Sequence, residues 1–230
     1  MKYEKQKYLL KQAIKDTLGD VYWLKYVYIA GGAVRSVFAG EPIRDLDLYF
    51  YDYPLKIDLP EKKFEIIIQT ETADTWRNTE NGKIFQIIKK FYGRPEDIMK
   101  KFDFTISMGA YLPRVDEFIL DDRFLYHLAE RRLVFNIETD YPISSVWRMK
   151  RFLSKGYRIG AVDLITLCLR VHNLKIKTFE DLKKQLDGID TALLKPLTDK
   201  LVEEKGDKEY DLMEFLEYME KTLGKIWKDG

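Results

Sequence analysis

Leu9, Leu10, Ala13, Ile14 and Leu18 recur near helical spacing among charged and amide residues, which predicts an amphipathic helix over Lys2–Leu18 that stops at Gly19. Tyr26–Ala30 is a short apolar run of the kind a buried strand shows, and Gly31-Gly32 follow it as a turn. A short helix and a second strand ending at Phe50 come next. Lys63–Thr70 is rich in isoleucine and reads as a strand, while Asp74–Asn78 and Lys83–Lys90 flank the turn signal Glu80-Asn81-Gly82 as a hairpin. Pro95–Lys101 has the proline and acidic first turn of a short helix, and Asp103–Leu112 reads as a further strand. Asp121–Arg132 and Ile143–Tyr157 are helical in pattern, the first with Asp121 as its N-cap and Arg131 and Arg132 at its end. Beyond Gly160 the period stays helical over Ala161–Leu174, Phe179–Leu186, Leu193–Glu204 and Tyr210–Trp227. The expected class is α+β: a head with a mixed sheet over residues 1–140, then an all-helical neck and short body over 141–230.

Composition narrows the class little further. The 230 residues are 46% hydrophobic and 14% aromatic, enough for a sizeable core, and 39 basic against 38 acidic residues leave no global field to attract nucleic acid. Charge is nevertheless uneven: residues 148–184 hold ten Lys or Arg against three Asp or Glu, and residues 185–230 hold seven against twelve. The first stretch suits a polyanionic substrate, or simply a solvated helix face. The single cysteine, Cys168, excludes an internal disulfide and a multi-cysteine zinc site, and its apolar neighbours in LITLCLRV predict a buried, inert thiol. His127, one of two histidines, sits among Leu125, Tyr126 and Leu128 and reads as structural. No apolar run reaches the length of a membrane span and the N-terminus lacks a signal-peptide core, so a cytoplasmic protein with no membrane partner is expected.

The chemistry concentrates in Ile29–Phe50. Asp45 and Asp47 stand at i and i+2, which on a strand sends both carboxylates out of one face, where they can share a divalent cation. Gly31-Gly32 allow the backbone to approach a phosphate at the start of a helix whose free N–H groups attract anions. Taken singly, these are also an ordinary strand-to-helix turn and two strand-edge charges. Taken together, Gly31, Gly32, Arg35, Gly40, Asp45 and Asp47 resemble the first motif of the class II CCA-adding enzymes and bacterial poly(A) polymerases, within the DNA polymerase β-like nucleotidyltransferase superfamily.

Two further segments carry the resemblance, and it spans the head and neck. Lys101-Phe102-Asp103-Phe104-Thr105 is similar to the family's Arg-Arg-Asp-Phe-Thr, and Arg148 and Arg151, followed by Phe152, are similar to the neck motif Glu-Asp-x-x-Arg-x-x-Arg. The resemblance implies a polymerase β-like head. It also implies metal-dependent transfer of a nucleoside monophosphate from an NTP (ATP or CTP) to an RNA 3′ hydroxyl, a tRNA-like end foremost, with two Mg²⁺ ions held by Asp45 and Asp47. Gly31, Gly32, Arg35, Arg148 and Arg151 are implied as nucleotide-binding residues. Asp103 is implied either as a third catalytic carboxylate or as a ribose contact; by itself it also reads as an aspartate capping a turn. Ser36, Lys101 and Phe102, Ser107 and Ser144-Ser145 depart from the family pattern, and Ser36, Phe102 and Ser144-Ser145 mark places where the family's ways of choosing a nucleotide have changed. Two alternatives stay open: the same chemistry on a protein hydroxyl or small molecule, and a non-catalytic nucleotide- or RNA-binding module.

Overall fold

The alternation along Asp45–Phe50 decides which side of the sheet is core and which is site. In the computed structural model, which describes residues 2–52, 57, 59–186, 199, 202–204, 211, 213–215 and 217–218, Leu46 and Leu48 are buried while Asp45 and Asp47 are half-buried on the opposite face. The first helix, α1 (Glu4–Leu18), buries Leu10, Ile14 and Leu18 and ends, as the pattern predicts, at Gly19. A 3-10 turn over Tyr22–Tyr26 then leads into β1 (Val27–Ala30), a strand buried at every residue. After the glycine turn come α2 (Gly32–Ala39) and β2 (Asp45–Phe50), the strand of the two carboxylates.

The middle of the head is β3 (Phe64–Gln69), β4 (Ala73–Asn78), β5 (Ile84–Tyr92) and α3 (Pro95–Met99), so the hairpin around Asn81-Gly82 and the proline-led helix form where expected. Asp103–Leu112 is not one strand. Thr105–Ser107 is a 3-10 turn and only β6 (Gly109–Leu112) pairs in the sheet, followed by β7 (Glu117–Leu120) and α4 (Phe124–Ala129). Every residue from Phe102 to Tyr111 is buried, so the composition of DFTISMGAYL does not separate a strand from a buried turn. Asp121 lies just before α4, where its carboxylate accepts the Arg123 N–H at 2.9 Å. Residues beyond it form β8 (Arg132–Leu133), α5 (Pro142–Ser154), β9 (Arg158–Ile159), α6 (Ala161–His172) and α7 (Phe179–Leu186). The predicted helices Leu193–Glu204 and Tyr210–Trp227 lie for the most part outside the described residues.

Among the described residues, seven strands make one mixed sheet in the order β3-β4-β5-β2-β1-β6-β7, with a separate two-stranded β8-β9 ribbon. Among the described residues of the large sheet only β2 and β5 run parallel; the other neighbouring pairs are antiparallel. The α+β class expected from the pattern is therefore the observed one. One face of the sheet gathers Leu46, Leu48, Phe50, Phe85 and Ile87 with Leu10 and Ile14 of α1 and Val34 and Val37 of α2. The other gathers Tyr28, Ala30, Tyr49, Ile88 and Ala110 with Ile98 and Met99 of α3. Asp45 and Asp47 precede Tyr49 on this second face, so they emerge where the cover of α3 ends.

Gly109, at the start of β6, is fixed by close approach. A Cβ there would meet Val34 Cγ1 at 2.8 Å, Leu120 Cδ2 at 3.0 Å and Phe124 Cε2 at 3.2 Å. Three elements would have to give way for one methyl, so Gly109→Ala is expected to cost about 1–3 kcal/mol, the usual price of overpacking. Urea denaturation followed by circular dichroism checks it, and an unchanged midpoint would show that α2 and α4 are free to move apart.

Cys168 corrects a sequence expectation, because it is exposed on α6. So are Val162 at 77%, Ile165 at 58% and Leu169 at 56%, and α6 buries only Leu167 among the described residues. An apolar run states what a helix prefers and not whether anything described covers it.

Candidate active site

The backbone shapes the site first. Gly31 ends β1 with φ 76° and ψ −122°, a conformation essentially confined to glycine. Its N–H donates to Gly109 O at 3.0 Å and its carbonyl accepts the Arg35 N–H at 3.0 Å, so the turn is anchored at once to β6 and to the first turn of α2. A Cβ on Gly31 would lie 3.8 Å from Asp47 Oδ2, which places the turn directly beside the second carboxylate. Gly32 opens α2, with free space where its Cβ would be.

Above the turn is a cleft of about 730 Å³, its open mouth included, lined by Gly32, Arg35, Asp45, Asp47, Arg148 and Arg151. Six of the residues expected to bind or react thus line one cavity, and Gly31 lies beside Asp47 next to it. Arg148 and Arg151 reach it from α5, three residues apart and hence on one helix face. Sequence reasoning missed Arg44 and Lys155, which also line the cleft. Lys155 was findable, being four residues past Arg151 on the same face, whereas Arg44 gave no periodic signal. Five cations therefore surround two carboxylates, a balance that favours a polyanion bridging both.

The cations are held in different ways. The Arg35 guanidinium lies 4.9 Å from the centre of the Phe152 ring, and its Nε is buried without a hydrogen-bond partner. Burial, and next the charge of Arg148, lower its pKa from the ordinary arginine value. Lys155 Nζ bonds Glu41 Oε2 at 2.7 Å. Burial works against the Glu41 charge, but the Lys155 hydrogen bond and charge, with help from Arg35, leave its carboxyl below the usual range. Arg148 Nε bonds Asp103 Oδ2 at 3.2 Å.

Asp103 is placed apart from the other two carboxylates. Among the described residues no three His, Cys, Asp or Glu side chains come together as a metal-holding group, so the structure does not bring Asp103 to Asp45 and Asp47 as a third ligand. It is buried instead beneath α5, where burial raises its carboxyl above the ordinary range and Arg148 partly offsets that rise. Phe102, in place of a family arginine, is buried in the core against Tyr49 at 5.9 Å between ring centres. Ser144 and Ser145 are buried too. Ser144 Oγ donates to Gln185 O at 2.6 Å and Ser145 Oγ donates to Tyr141 O at 3.1 Å.

His127 is structural, as its neighbours suggested: it is buried, with Nδ1 2.8 Å from Thr105 Oγ1. Burial, then the charges of Arg132 and Arg123, lower its pKa from 6.5. Between that lowered value and 6.5 the unfolded chain binds more protons than the folded one, so this contribution to stability is complete above pH 6.5 and is lost as pH falls through the folded value. Between about pH 7.5 and 5.5 the urea midpoint of the native protein should therefore drop further than that of His127→Gln. Parallel profiles would contradict a neutral buried imidazole.

The family model described as Gabija anti-defense 2 family protein matches residues 1–131, more than half of the chain. The chain belongs to the Gabija anti-defense 2 family. A curated relative named Gabija anti-defense 2, from Bacillus phage SPbetaL7, is 31% identical over 218 residues, which is 93% of this chain and 53% of that protein. The chain thus spans about half the length of the curated relative it matches. Among solved structures, a CCA-adding enzyme in complex with ATP matches with a TM-score of 0.52 at 18% identity, covering 86% of this chain and 50% of that one. The Thermotoga maritima CCA-adding enzyme complexed with tRNA matches with a TM-score of 0.50 at 19% identity, covering 77% and 46%. At these identities the likeness is one of fold: this Gabija anti-defense 2 family chain has the fold of the CCA-adding nucleotidyltransferase head. Among the described residues no helix is long and apolar enough to cross a membrane.

Proposed function

We propose that the chain is a metal-dependent nucleotidyltransferase whose active site is the cleft of Asp45 and Asp47. The observation that carries this reading is the meeting of two half-buried carboxylates on one strand face and five cationic side chains in one cavity, beside a glycine turn on which a Cβ would lie 3.8 Å from Asp47 Oδ2. A pure anion-binding module gains nothing from two carboxylates in a phosphate site, since each repels the ligand unless a cation lies between.

The donor set fits Mg²⁺, which is commonly held by one or two carboxylates and completes its shell with phosphate oxygens and water. When bound there, Mg²⁺ lowers the pKa of an attacking hydroxyl and neutralises the departing pyrophosphate. The chain supplies the rest. Gly31 and Gly32 offer backbone to the phosphates without side-chain obstruction, and the α2 N-terminus adds N–H donors. Arg35, Arg148 and Arg151 balance charge along the triphosphate and hold it in line for attack, so catalysis rests on positioning and electrostatics. No side-chain nucleophile is required.

The acceptor proposed from the resemblance to the CCA-adding enzymes is an RNA 3′ hydroxyl, a tRNA-like end foremost. A second reading keeps the chemistry and directs it at a component of the Gabija defence, protein or nucleic acid, and the name of the phage relative favours it. Incubating the protein with Mg²⁺, each α-labelled NTP in turn, and total RNA or extract from cells with and without Gabija separates the two. Label in RNA from both cell types supports the first, and label only with Gabija supports the second. No label in any fraction rejects transfer altogether.

A further inference from the structure

Two of the cations that line the cleft are held by acids, and the two pairs differ in kind. Arg148 bonds Asp103, whose side chain is only 5% exposed. Lys155 bonds Glu41 Oε2 at 2.7 Å, with side chains 31% and 27% exposed, and Lys155 lines the cleft while Glu41 lies outside its lining. The lysine thus borders the anion site with its carboxylate partner set behind it.

Backbone fixes both ends of this second pair. Helix α2 closes on Gly40 at φ 69°, the Glu41 N–H donates to Ser36 O at 2.9 Å, and Pro42 follows with its ring-fixed φ. Lys155 caps α5, its N–H donating to Phe152 O at 3.0 Å and its carbonyl accepting from Arg131 Nη1 at 3.3 Å. What can move is the lysine stem, a flexible chain that ends in a compact charge with rotatable donors. Other cations lie in line with it. Arg148, Arg151 and Lys155 follow one another at i, i+3 and i+7, a row about 10 Å long at the helical rise, with room for several phosphate groups in series.

Resting on the nucleotidyl-transfer reading, we propose that Lys155 is a further polyphosphate ligand and that Glu41 is the positioning residue that holds it between turnovers. Glu41 is then a resident anion, which an incoming triphosphate displaces and which takes the lysine back as pyrophosphate leaves. The exchange makes and breaks no covalent bond. A partly exposed carboxylate–lysine pair is weak in water, whereas a phosphate brings more charge and more acceptors, so the lysine changes partner readily. Glu41 thereby sets how tightly the cleft retains polyphosphate, and removing its charge tightens binding. A pair that only props α5 against the loop between α2 and β2 gives the opposite sign.

Calorimetric titration of the full chain with inorganic tripolyphosphate and with pyrophosphate tests it, in Mg²⁺ and about 0.15 M salt to screen longer-range repulsion. Glu41→Gln is expected to bind both anions about fivefold tighter than the native chain, and Lys155→Met about tenfold more weakly. The double variant decides the matter. In the Lys155→Met background Glu41→Gln should change affinity by less than about twofold, because the lysine it would release is gone. Lys155→Gln takes the place of Lys155→Met if that variant does not fold. Equal gains from Glu41→Gln in both backgrounds would reduce Glu41 to a repelling charge, and no gain, or a loss, would make the pair a strut. Either result overturns the exchange and leaves the transfer reading in place. Failure of the native chain to bind NTP, tripolyphosphate and pyrophosphate alike overturns both.

Discussion

Asp45→Asn and Asp47→Asn are each expected to lower nucleotidyl transfer by about a thousandfold or more, with the fold intact. The substitutions keep side-chain shape and remove one charge from a site where charge stabilisation of the reaction is worth several kcal/mol, and about 4 kcal/mol corresponds to three powers of ten. Both residues are half-buried on the sheet face beyond α3, and neither belongs to the apolar clusters, so the circular dichroism spectrum and urea midpoint should stay close to those of the native protein. Incorporation of α-labelled NTP, measured as an initial rate in saturating Mg²⁺, reads the effect. Rates within about threefold of the native chain would mean that the carboxylates are strand-edge charges and that the chemistry, if any, lies elsewhere.

Arg35→Met carries the next largest effect, and its two consequences run in opposite directions. Arg35 keeps a cation under Phe152 with a buried, unpartnered Nε, an arrangement that burial disfavours and that a triphosphate oxygen would relieve. Methionine retains the contact with the ring and drops the charge. Apparent NTP affinity should therefore fall by about thirty- to hundredfold, the worth of a charge-assisted hydrogen bond of about 2–3 kcal/mol. The urea midpoint without nucleotide should hold or rise, because a poorly solvated charge has gone. Saturating NTP should then raise the midpoint of the native chain much more than that of the variant. A fall in the ligand-free midpoint with no loss of affinity would assign Arg35 to the core and not to the site.

How much of this was legible in the sequence follows from what each residue must do. Gly31 was legible because few residues tolerate its backbone angles, and Asp45 and Asp47 because a strand at i and i+2 has only one geometry. Arg148 and Arg151 were legible as a helix-face pair, and their spacing extended to Lys155 would have found a third cation. Asp103 was not decidable: an aspartate before a 3-10 turn looks the same whether it caps, binds metal or is buried against an arginine from a helix 45 residues on, and only the tertiary pairing with Arg148 separates these. The exposure of α6 was illegible for a related reason. Hydrophobic period assigns a face to the helix but says nothing about whether another element covers it, and Cys168, Val162 and Leu169 are exposed.

The central claim is that the cleft transfers a nucleoside monophosphate. Its most direct measurement is the fate of the α-phosphate of labelled ATP and CTP when the protein is incubated with Mg²⁺ and cell extract, alongside the release of pyrophosphate. The account predicts α-label in macromolecular material, equimolar pyrophosphate, and loss of both on chelation by EDTA or in Asp47→Asn. Retention of the α-label in intact NTP with no pyrophosphate, in the presence of Mg²⁺ and of extract from Gabija-bearing cells, would contradict it.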